Sequence, residues 1–263
     1  MSINLTNEFY DIQKGNSFDQ FLSLKLPYFN EKGTRAIKIN IPIKNHRQSN
    51  KLRDSGFKLR DNIQIKNING QYNICLIWEK EVPIKPQGKE LGIDTGFRKL
   101  IATSDGQILG GEEMLEVYSN ITKNKKKNSV AYKKALLERD NLINMFSNKI
   151  NFDGVGVVCV EDLCNVKYKS KYNKKANNLM SKWTYRAFLN KIKMICEAKG
   201  MLLVKVSPAY TSQTCSSCGS VHEESRKGDN FKCVECGFEI DADYNASINI
   251  RNKGVYSLLD PKS

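Results

Sequence analysis

Four cysteines near the C-terminus constrain the fold of this chain most strongly. They form two Cys-x-x-Cys pairs, CSSC and CVEC, with fourteen residues between the inner cysteines. Each pair suits a tight knuckle, and the loop between them brings the knuckles together, so that four thiolates can surround one Zn²⁺ ion at about 2.3 Å each. The spacing predicts a zinc ribbon with a closed, structural shell, and its ligands are Cys215, Cys218, Cys233 and Cys236.

The other cysteines and the start of the chain indicate a reducing compartment. Each of these cysteines stands alone in an apolar pattern, where a free thiol behaves as a small core residue. The start has no signal-peptide pattern, and no apolar run reaches the roughly 18 residues of a membrane span. We therefore expect a cytoplasmic protein without a membrane partner. The cysteines outside the ribbon are Cys75, Cys159, Cys164 and Cys196.

The chain carries a large excess of positive charge. Its 42 lysines and arginines against 28 acidic residues give a net charge of +14 over 263 residues. Such an excess is typical of proteins that bind nucleic acid, although a basic surface alone would also account for it. The apolar fraction of 40% is enough for a folded core, and no pattern indicates an oligomeric state.

The first third of the sequence has the pattern of a small β domain. In residues 56–82, apolar and polar residues alternate on both sides of Asn69-Gly70, a pair that favours a hairpin turn because it tolerates positive φ. We expect an antiparallel β domain over 20–82, within a first domain of 1–88 that closes with a Pro- and Gly-containing linker. Residues 1–20 carry no convincing pattern.

The remainder alternates strands and helices, which indicates an α/β domain. A strand–turn–strand over 89–111 precedes a helix over 123–149, an apolar strand over 155–160 and a helix over 183–199. A further strand leads into the ribbon, and a short helix follows it. The apolar stripes expected to face the core are Ala135, Leu136, Ile143 and Met145 or Phe146 in the first helix, and Phe188, Leu189, Ile192 and Ile195 in the second.

Some basic segments admit two interpretations. The run at 123–128 fits either a solvated loop or an edge that contacts phosphates. Lysine and tyrosine interleave over 167–175, which fits either a surface that stacks on nucleic-acid bases or a solvated loop. Arg226 in the ribbon loop is expected to be solvated or to touch DNA.

Three carboxylates stand at the ends of predicted elements. Asp94 lies on the first strand of the α/β part, Glu161 ends the central strand, and Asp243 lies in the first turn of the last helix. If the strands are neighbours, these side chains meet at one edge of the sheet. Asp162 competes with Glu161, but successive strand residues point to opposite faces, so only one of them faces the site. Asp241 competes with Asp243, and helical rotation likewise separates their directions.

Such a cluster of carboxylates is suited to magnesium. Carboxylate oxygens bind hard cations, and two ions about 3.5–4 Å apart can clamp the attacking and leaving oxygens of a phosphodiester displacement. Like charges repel one another in the metal-free cluster, and this cost is tolerated where a metal binds. The pattern therefore predicts a metal-dependent nuclease.

Several motifs together resemble a known family. The segments GIDTGFRKLIATSDG, VVCVEDL, VSPAYTSQTCSSCG and FKCVECGFEIDADYNASINI are similar to the nuclease motifs and zinc ribbon of the TnpB (OrfB) proteins, transposon-encoded relatives of the compact type V CRISPR effectors. The resemblance covers residues 90–252 well and 20–82 loosely. The chain resembles the C-terminal two-thirds of such a protein.

The resemblance implies a fold and a domain order. The fold is an RNase H-like (RuvC) α/β core with an inserted zinc ribbon, preceded by a small antiparallel, wedge-like β domain. In that arrangement 1–88 is the β domain, 89–207 and 241–263 are the two parts of the nuclease domain, and 208–240 is the ribbon.

The resemblance also implies an activity. Asp94, Glu161 and Asp243 would be the catalytic acids of an Mg²⁺-dependent, RNA-guided DNA endonuclease, and the four ribbon cysteines would hold zinc. The partners would be DNA and a guide RNA transcribed from the transposon end. Because family members usually carry a longer N-terminal region with a helical recognition domain, the alternative is a non-cleaving or truncated relative that binds nucleic acid.

Overall fold

The computed structural model divides the chain into two compact units, Met1–Glu81 and Val82–Ser263. This division lies a few residues before the predicted end of the first domain at 88. The basic segment 167–175 and Cys164 lie outside the described residues. The described residues are 2–14, 20–30, 33–43, 47–96, 99–122, 126, 128–163 and 185–260.

The first unit contains two three-stranded antiparallel sheets, with strand orders β1-β5-β6 and β2-β3-β4. Tyr10, Leu22, Leu24 and Ile63 are buried in a core that draws on both sheets. The Tyr10 hydroxyl donates to the backbone oxygen of Arg60 at 3.2 Å, which ties the two sheets together. The elements are β1 (Ser2–Thr6), β2 (Tyr10–Lys14), β3 (Gln20–Asn30), β4 (Gly33–Ile43), α1 (Arg47–Asp54), β5 (Lys58–Ile68) and β6 (Gln71–Glu79).

Two features of this unit bear on the sequence predictions. The predicted hairpin turn is confirmed, because Asn69 and Gly70 both have positive φ, 54° and 85°, between β5 and β6. Residues 1–20, which carry no convincing pattern, nevertheless hold β1 and β2. β1 forms by pairing with a strand distant in the chain, with Ile3 opposite Ile65, and β2 pairs with the next strand, with Ile12 opposite Leu22.

The second unit is built on a five-stranded sheet of order β11-β10-β7-β8-β9. β7, β10 and β11 run parallel, whereas β8 and β9 are antiparallel additions. Together with its helices this sheet confirms the mixed α/β class. The elements are β7 (Lys89–Asp94), β8 (Ile101–Thr103), β9 (Ile108–Leu109), α2 (Glu112–Thr122), α3 (Val130–Lys149), β10 (Val155–Glu161), α4 (Tyr185–Lys199), β11 (Leu202–Val206), β12 (Arg226–Lys227), β13 (Asn230–Lys232), β14 (Glu239–Asp241) and α5 (Ala242–Leu259).

Helices cover both faces of this sheet. Val158 and Val160 of β10 join the core formed with α2, α3 and α4. The alternate residues Val157 and Cys159 face the other way and pack with Ile250 of α5. Alternate side chains of β10 thus point to two different helical layers, one on each face of the sheet, and α5 packs on one of these faces.

The helices differ from expectation at one place. The predicted helix over 123–149 begins at Val130, where Ser129 caps it by accepting a hydrogen bond from Tyr132 N–H. A separate helix, α2, precedes it and was not predicted. In α3 the choice between two residues is settled, because Phe146 is buried and Met145 is exposed.

α5 approaches the sheet unusually closely at two glycines. A Cβ on Gly92 of β7 would collide with the backbone oxygen of Ser247 and lie 2.6 Å from Arg251 N. A Cβ on Gly254 of α5 would collide with the buried thiol of Cys159. The absence of a side chain at both positions lets α5 lie directly against β7 and β10. No helix among the described residues has the length and apolar character needed to cross a membrane.

Candidate metal centres

The four ribbon cysteines form one compact cluster. Their Sγ atoms all lie within 4.8 Å of one another, with Cys215 and Cys236 3.8 Å apart and Cys218 and Cys233 3.7 Å apart. Four sulfurs placed tetrahedrally at the usual Zn–S distance are separated by about 3.8 Å. The cluster is therefore compatible with a four-thiolate zinc site.

Local backbone structure positions these thiols. In each knuckle the glycine that follows the second cysteine donates its N–H to the backbone oxygen of the first cysteine. Gly219 donates to Cys215 O at 2.9 Å, and Gly237 donates to Cys233 O at 3.0 Å. Both glycines have positive φ, which closes the knuckle tightly. The short sheet β12-β13-β14 flanks the second knuckle, since β12 and β13 precede Cys233 and β14 leads from the knuckle into α5.

The three predicted acids lie at one edge of the large sheet. Asp94 is the last residue of β7 and Glu161 is the last residue of β10. Because these strands are parallel neighbours, with Val160 opposite Ile93, both acids end their strands on the same side. Asp243 lies in the first turn of α5, which packs on β7.

The acids influence one another electrostatically. Burial, reinforced by the negative charges of Glu161 and Asp243, raises the pKa of Asp94 to about 8, although Arg226 opposes the shift. Burial also raises the pKa of Glu161, against a hydrogen bond from Thr211 and the positive charges of Lys253 and Arg226. The structure thus brings together Asp94, Glu161 and Asp243.

The acidic cluster is wider than the cysteine cluster. Within the part of the chain that the structure describes, the four cysteines are the one group of at least three metal-ligand side chains that all lie within 4.8 Å. Asp94, Glu161 and Asp243 do not meet this criterion together, although Glu161 and Asp243 are near enough to raise the pKa of Asp94.

Asp241, the alternative to Asp243 as the third acid of the site, caps a helix instead. It is the N-cap of α5, and its carboxylate accepts hydrogen bonds from Asp243 N–H at 3.1 Å and Tyr244 N–H at 3.0 Å. Lys99 also donates to it. Burial opposes its ionisation, but these donors outweigh burial and lower the pKa of Asp241.

Two basic residues at this edge were missed as site residues. Arg226 of β12 lies 2.7 Å from Asp243 Oδ1 and is 29% exposed, so it is not a fully solvated ribbon charge. Lys99, in the loop after β7, contacts Asp241 and lies 3.8 Å from Asp243 Oδ2. Sequence spacing gives no signal for either pairing, because both depend on how the ribbon and loop fold back onto α5.

Comparisons with known proteins point to one family. A family model described as Cas12f1-like, TNB domain, matches residues 185–250. A CRISPR-associated endodeoxyribonuclease Cas12f1 of Sulfoacidibacillus thermotolerans is 38% identical over 108 residues, which are 41% of this chain and 24% of that protein. The TnpB-like protein aq_aa05 of Aquifex aeolicus is 32% identical over 119 residues, 44% of this chain and 38% of that protein.

A solved structure shares the fold. The Cas12f1 chain in a cryo-EM structure of a Cas12f1-sgRNA-target DNA complex matches with a TM-score of 0.63 and 18% identity, over 95% of this chain and 64% of that chain. The present chain therefore spans less than two thirds of the length of these relatives. Fold and sequence place it in the class of type V effectors and their transposon-encoded relatives. Within that class, the chain belongs to the TnpB (OrfB) family.

Proposed function

We propose that this chain is an RNA-guided DNA endonuclease of the TnpB type that hydrolyses phosphodiesters with two Mg²⁺ ions. The observation that carries the proposal is the meeting of Asp94, Glu161 and Asp243 at one sheet edge, where Glu161 and Asp243 both raise the pKa of Asp94. Buried carboxylates that repel one another are unfavourable unless cations bind them, and their perturbed pKa values mark a functional site. The relatives named as RNA-guided or CRISPR-associated endonucleases support the same activity.

The proposal assigns the second unit to an RNase H-like (RuvC) core. Its sheet, with three parallel strands and two antiparallel additions, supports this assignment. We propose the domain division that the sequence suggests, with the wedge-like β domain at 1–88, the nuclease parts at 89–207 and 241–263, and the ribbon at 208–240.

Each acid has a defined part in the proposed reaction. Asp94, Glu161 and Asp243 would hold the Mg²⁺ ions. When bound, these ions lower the pKa of the attacking water and neutralise the leaving oxygen of the DNA strand. The three carboxylates fix where that chemistry happens, since two of them end rigid parallel strands and the third begins a helix packed on the same sheet.

The ribbon would contribute structure to the site. Zinc bound by the four cysteines has no open position for substrate, so its role is to hold the ribbon. Purified protein should therefore contain one zinc per chain. Cys218→Ser should lose that zinc, whereas Cys75→Ser, which changes a cysteine of the other unit, should keep it.

The proposed partners are DNA and a guide RNA. The net charge of +14 supports both. Binding through phosphate contacts should weaken steeply as salt rises. In the test, the full chain is purified with RNA from its locus and incubated with labelled single- and double-stranded DNA and Mg²⁺.

We expect the wild type to cut DNA and Asp94→Ala to bind without cutting. Asp153→Ala, which changes an exposed acid on the loop before β10, should cut normally. If the wild type and Asp94→Ala behave alike, the nuclease proposal is wrong. Co-purified RNA without Mg²⁺-dependent cleavage would instead favour the non-cleaving, nucleic-acid-binding alternative.

A further inference from the structure

One face of α5 is hydrogen-bonded to the loop that leads into the ribbon. Asn245, Asn249 and Lys253 are spaced four residues apart, so they line up along one side of the helix. All three donate hydrogen bonds to backbone oxygens of residues 207–214. We call these three residues the clasp.

The clasp holds the loop through hydrogen bonds to its backbone. Asn245 Nδ2 donates to Thr214 O at 2.8 Å, and its Oδ1 accepts from Ser216 N–H at 2.9 Å. Asn249 Nδ2 donates to Thr211 O at 2.9 Å and to Thr214 O at 2.7 Å. Both asparagines are almost completely buried, so these bonds are protected from water and hold the loop in one conformation.

The loop held in this way presents one side chain to the acidic cluster. The hydroxyl of Thr211, which is 3% exposed, donates to Glu161 Oε1. A second possible acceptor, Pro208 O, lies 3.0 Å from the Thr211 hydroxyl oxygen. The hydroxyl has a single proton, and a hydrogen bond to an ionised carboxylate is stronger than one to a backbone carbonyl, so Glu161 is the favoured acceptor.

We propose that Thr211 is a positioning residue, which orients the Glu161 carboxylate for metal binding and is itself held in place by the clasp. The inference rests on the proposed two-metal function of the site. α5 then organises all three acids: it carries Asp243, it packs directly on Gly92 two residues before Asp94, and through the clasp and Thr211 it orients Glu161.

A positioning role makes a specific prediction for metal affinity. Groups that orient metal ligands typically contribute 10–100-fold to metal affinity. Thr211→Val keeps the shape of the side chain but removes the donor. Without this hydrogen bond, the Glu161 carboxylate can rotate away from the acidic cluster.

The test measures Mn²⁺ binding to the full chain by electron paramagnetic resonance and by calorimetry, in the absence of nucleic acid. We expect Thr211→Val to weaken Mn²⁺ binding about tenfold or more and Thr211→Ser to restore it. Thr214→Val is the matched control, because its hydroxyl belongs to the same loop but donates to Tyr210 O at 2.7 Å. It should bind Mn²⁺ like the wild type.

A second comparison separates positioning from general loosening of the fold. In a Glu161→Gln background, Thr211→Val should cause no further loss of Mn²⁺ affinity, because the residue acts through Glu161. If Thr211→Val binds Mn²⁺ like the wild type, or still weakens it equally without the Glu161 carboxylate, the positioning role is overturned. If the wild type and Asp94→Asn bind Mn²⁺ equally poorly, it is the proposed two-metal function that fails.

Discussion

The guanidinium of Arg226 lies 2.7 Å from the Asp243 carboxylate and joins the cysteine module to the acidic edge. Arg226 is in β12, between the two knuckles, while Asp243 begins α5 beyond the second knuckle. The pair is mostly buried, with side chains 29% and 12% exposed. In the metal-free protein this arginine therefore offsets part of the negative charge that the three acids concentrate.

Removing Arg226 should destabilise the metal-free protein and make it depend more on divalent cations. Arg226→Ala removes the cation 2.7 Å from a partly buried carboxylate and leaves Lys99 at 3.8 Å, and such a loss typically costs about 1–3 kcal/mol. Added Mg²⁺ should recover more stability in the variant than in the wild type, because a bound cation neutralises the same carboxylate. Urea unfolding with EDTA and with Mg²⁺ measures both effects. Lys227→Ala, a neighbouring exposed lysine, is the control, and equal stability of the two variants would contradict the prediction.

Asp94 should make the stability of the metal-free protein fall as the pH rises. Burial, with Glu161 and Asp243, raises its pKa to about 8 in the folded state, against about 3.9 in an unfolded chain. The folded state therefore holds this proton where the unfolded state has released it, so the contribution is complete below about pH 4 and is lost between about pH 4 and pH 8.

Asp94→Asn removes that loss because the amide never ionises. In EDTA the variant and the wild type should melt together near pH 4, and the variant should melt higher at pH 8, by about 2–4 °C for each kcal/mol. Calorimetry over this pH range is the measurement. Asp153→Asn should show the same dependence of melting temperature on pH as the wild type. If Asp94→Asn also shows the same dependence as the wild type, the pKa of Asp94 is not raised in the folded protein.

The sequence locates the cysteine cluster and the three acids well because their signals are local. The four cysteines have the spacing of a knuckle pair, and each acid falls at the start or the end of a recognisable element. α2 also carried a readable signal, since its buried residues follow helical spacing: Met114, Val117, Tyr118 and Ile121.

The remaining site residues could not be read in this way. Arg226 and Lys99 become site residues only through partners that are distant in the chain, 17 residues away for Arg226 and 142 for Lys99. Asn249 reads as a polar, solvent-facing helix position, yet it is buried against a loop 38 residues earlier. Such pairings follow from tertiary packing, which local periodicity does not encode.

Gly92→Ala should disturb the contact on which the site is built. An alanine Cβ there would collide with the α5 backbone at Ser247 and Arg251, and overpacking of this kind costs about 1–3 kcal/mol. Because backbone cannot move aside as a side chain can, we expect a cost at the upper end. Urea unfolding measures it. Gly111→Ala is the matched control, since a Cβ at Gly111 meets no atom within 4 Å, and equal stability of the two variants would refute the close packing of α5 on β7.

Asp241 should stabilise the start of α5 in two separable ways, as a helix cap and as the partner of Lys99. Asp241→Ala removes both contributions and should cost about 1–2 kcal/mol for the cap alone. Asn caps helices as well as Asp does, so Asp241→Asn should keep the cap and lose only the ion pair, about 0–1 kcal/mol.

The pH dependence distinguishes the two contributions of Asp241. Because its pKa is lowered in the folded state, the ion-pair contribution is present above the unfolded pKa of about 3.9 and is lost as the pH falls through the folded value. Urea unfolding at pH 7 and pH 3 should therefore show a smaller difference between wild type and Asp241→Asn at pH 3 than at pH 7. In a Lys99→Gln background that difference should shrink. Equal losses in Asp241→Asn and Asp241→Ala would mean that the cap contributes nothing, and the placement of Asp243 at the start of α5 would then need another cause.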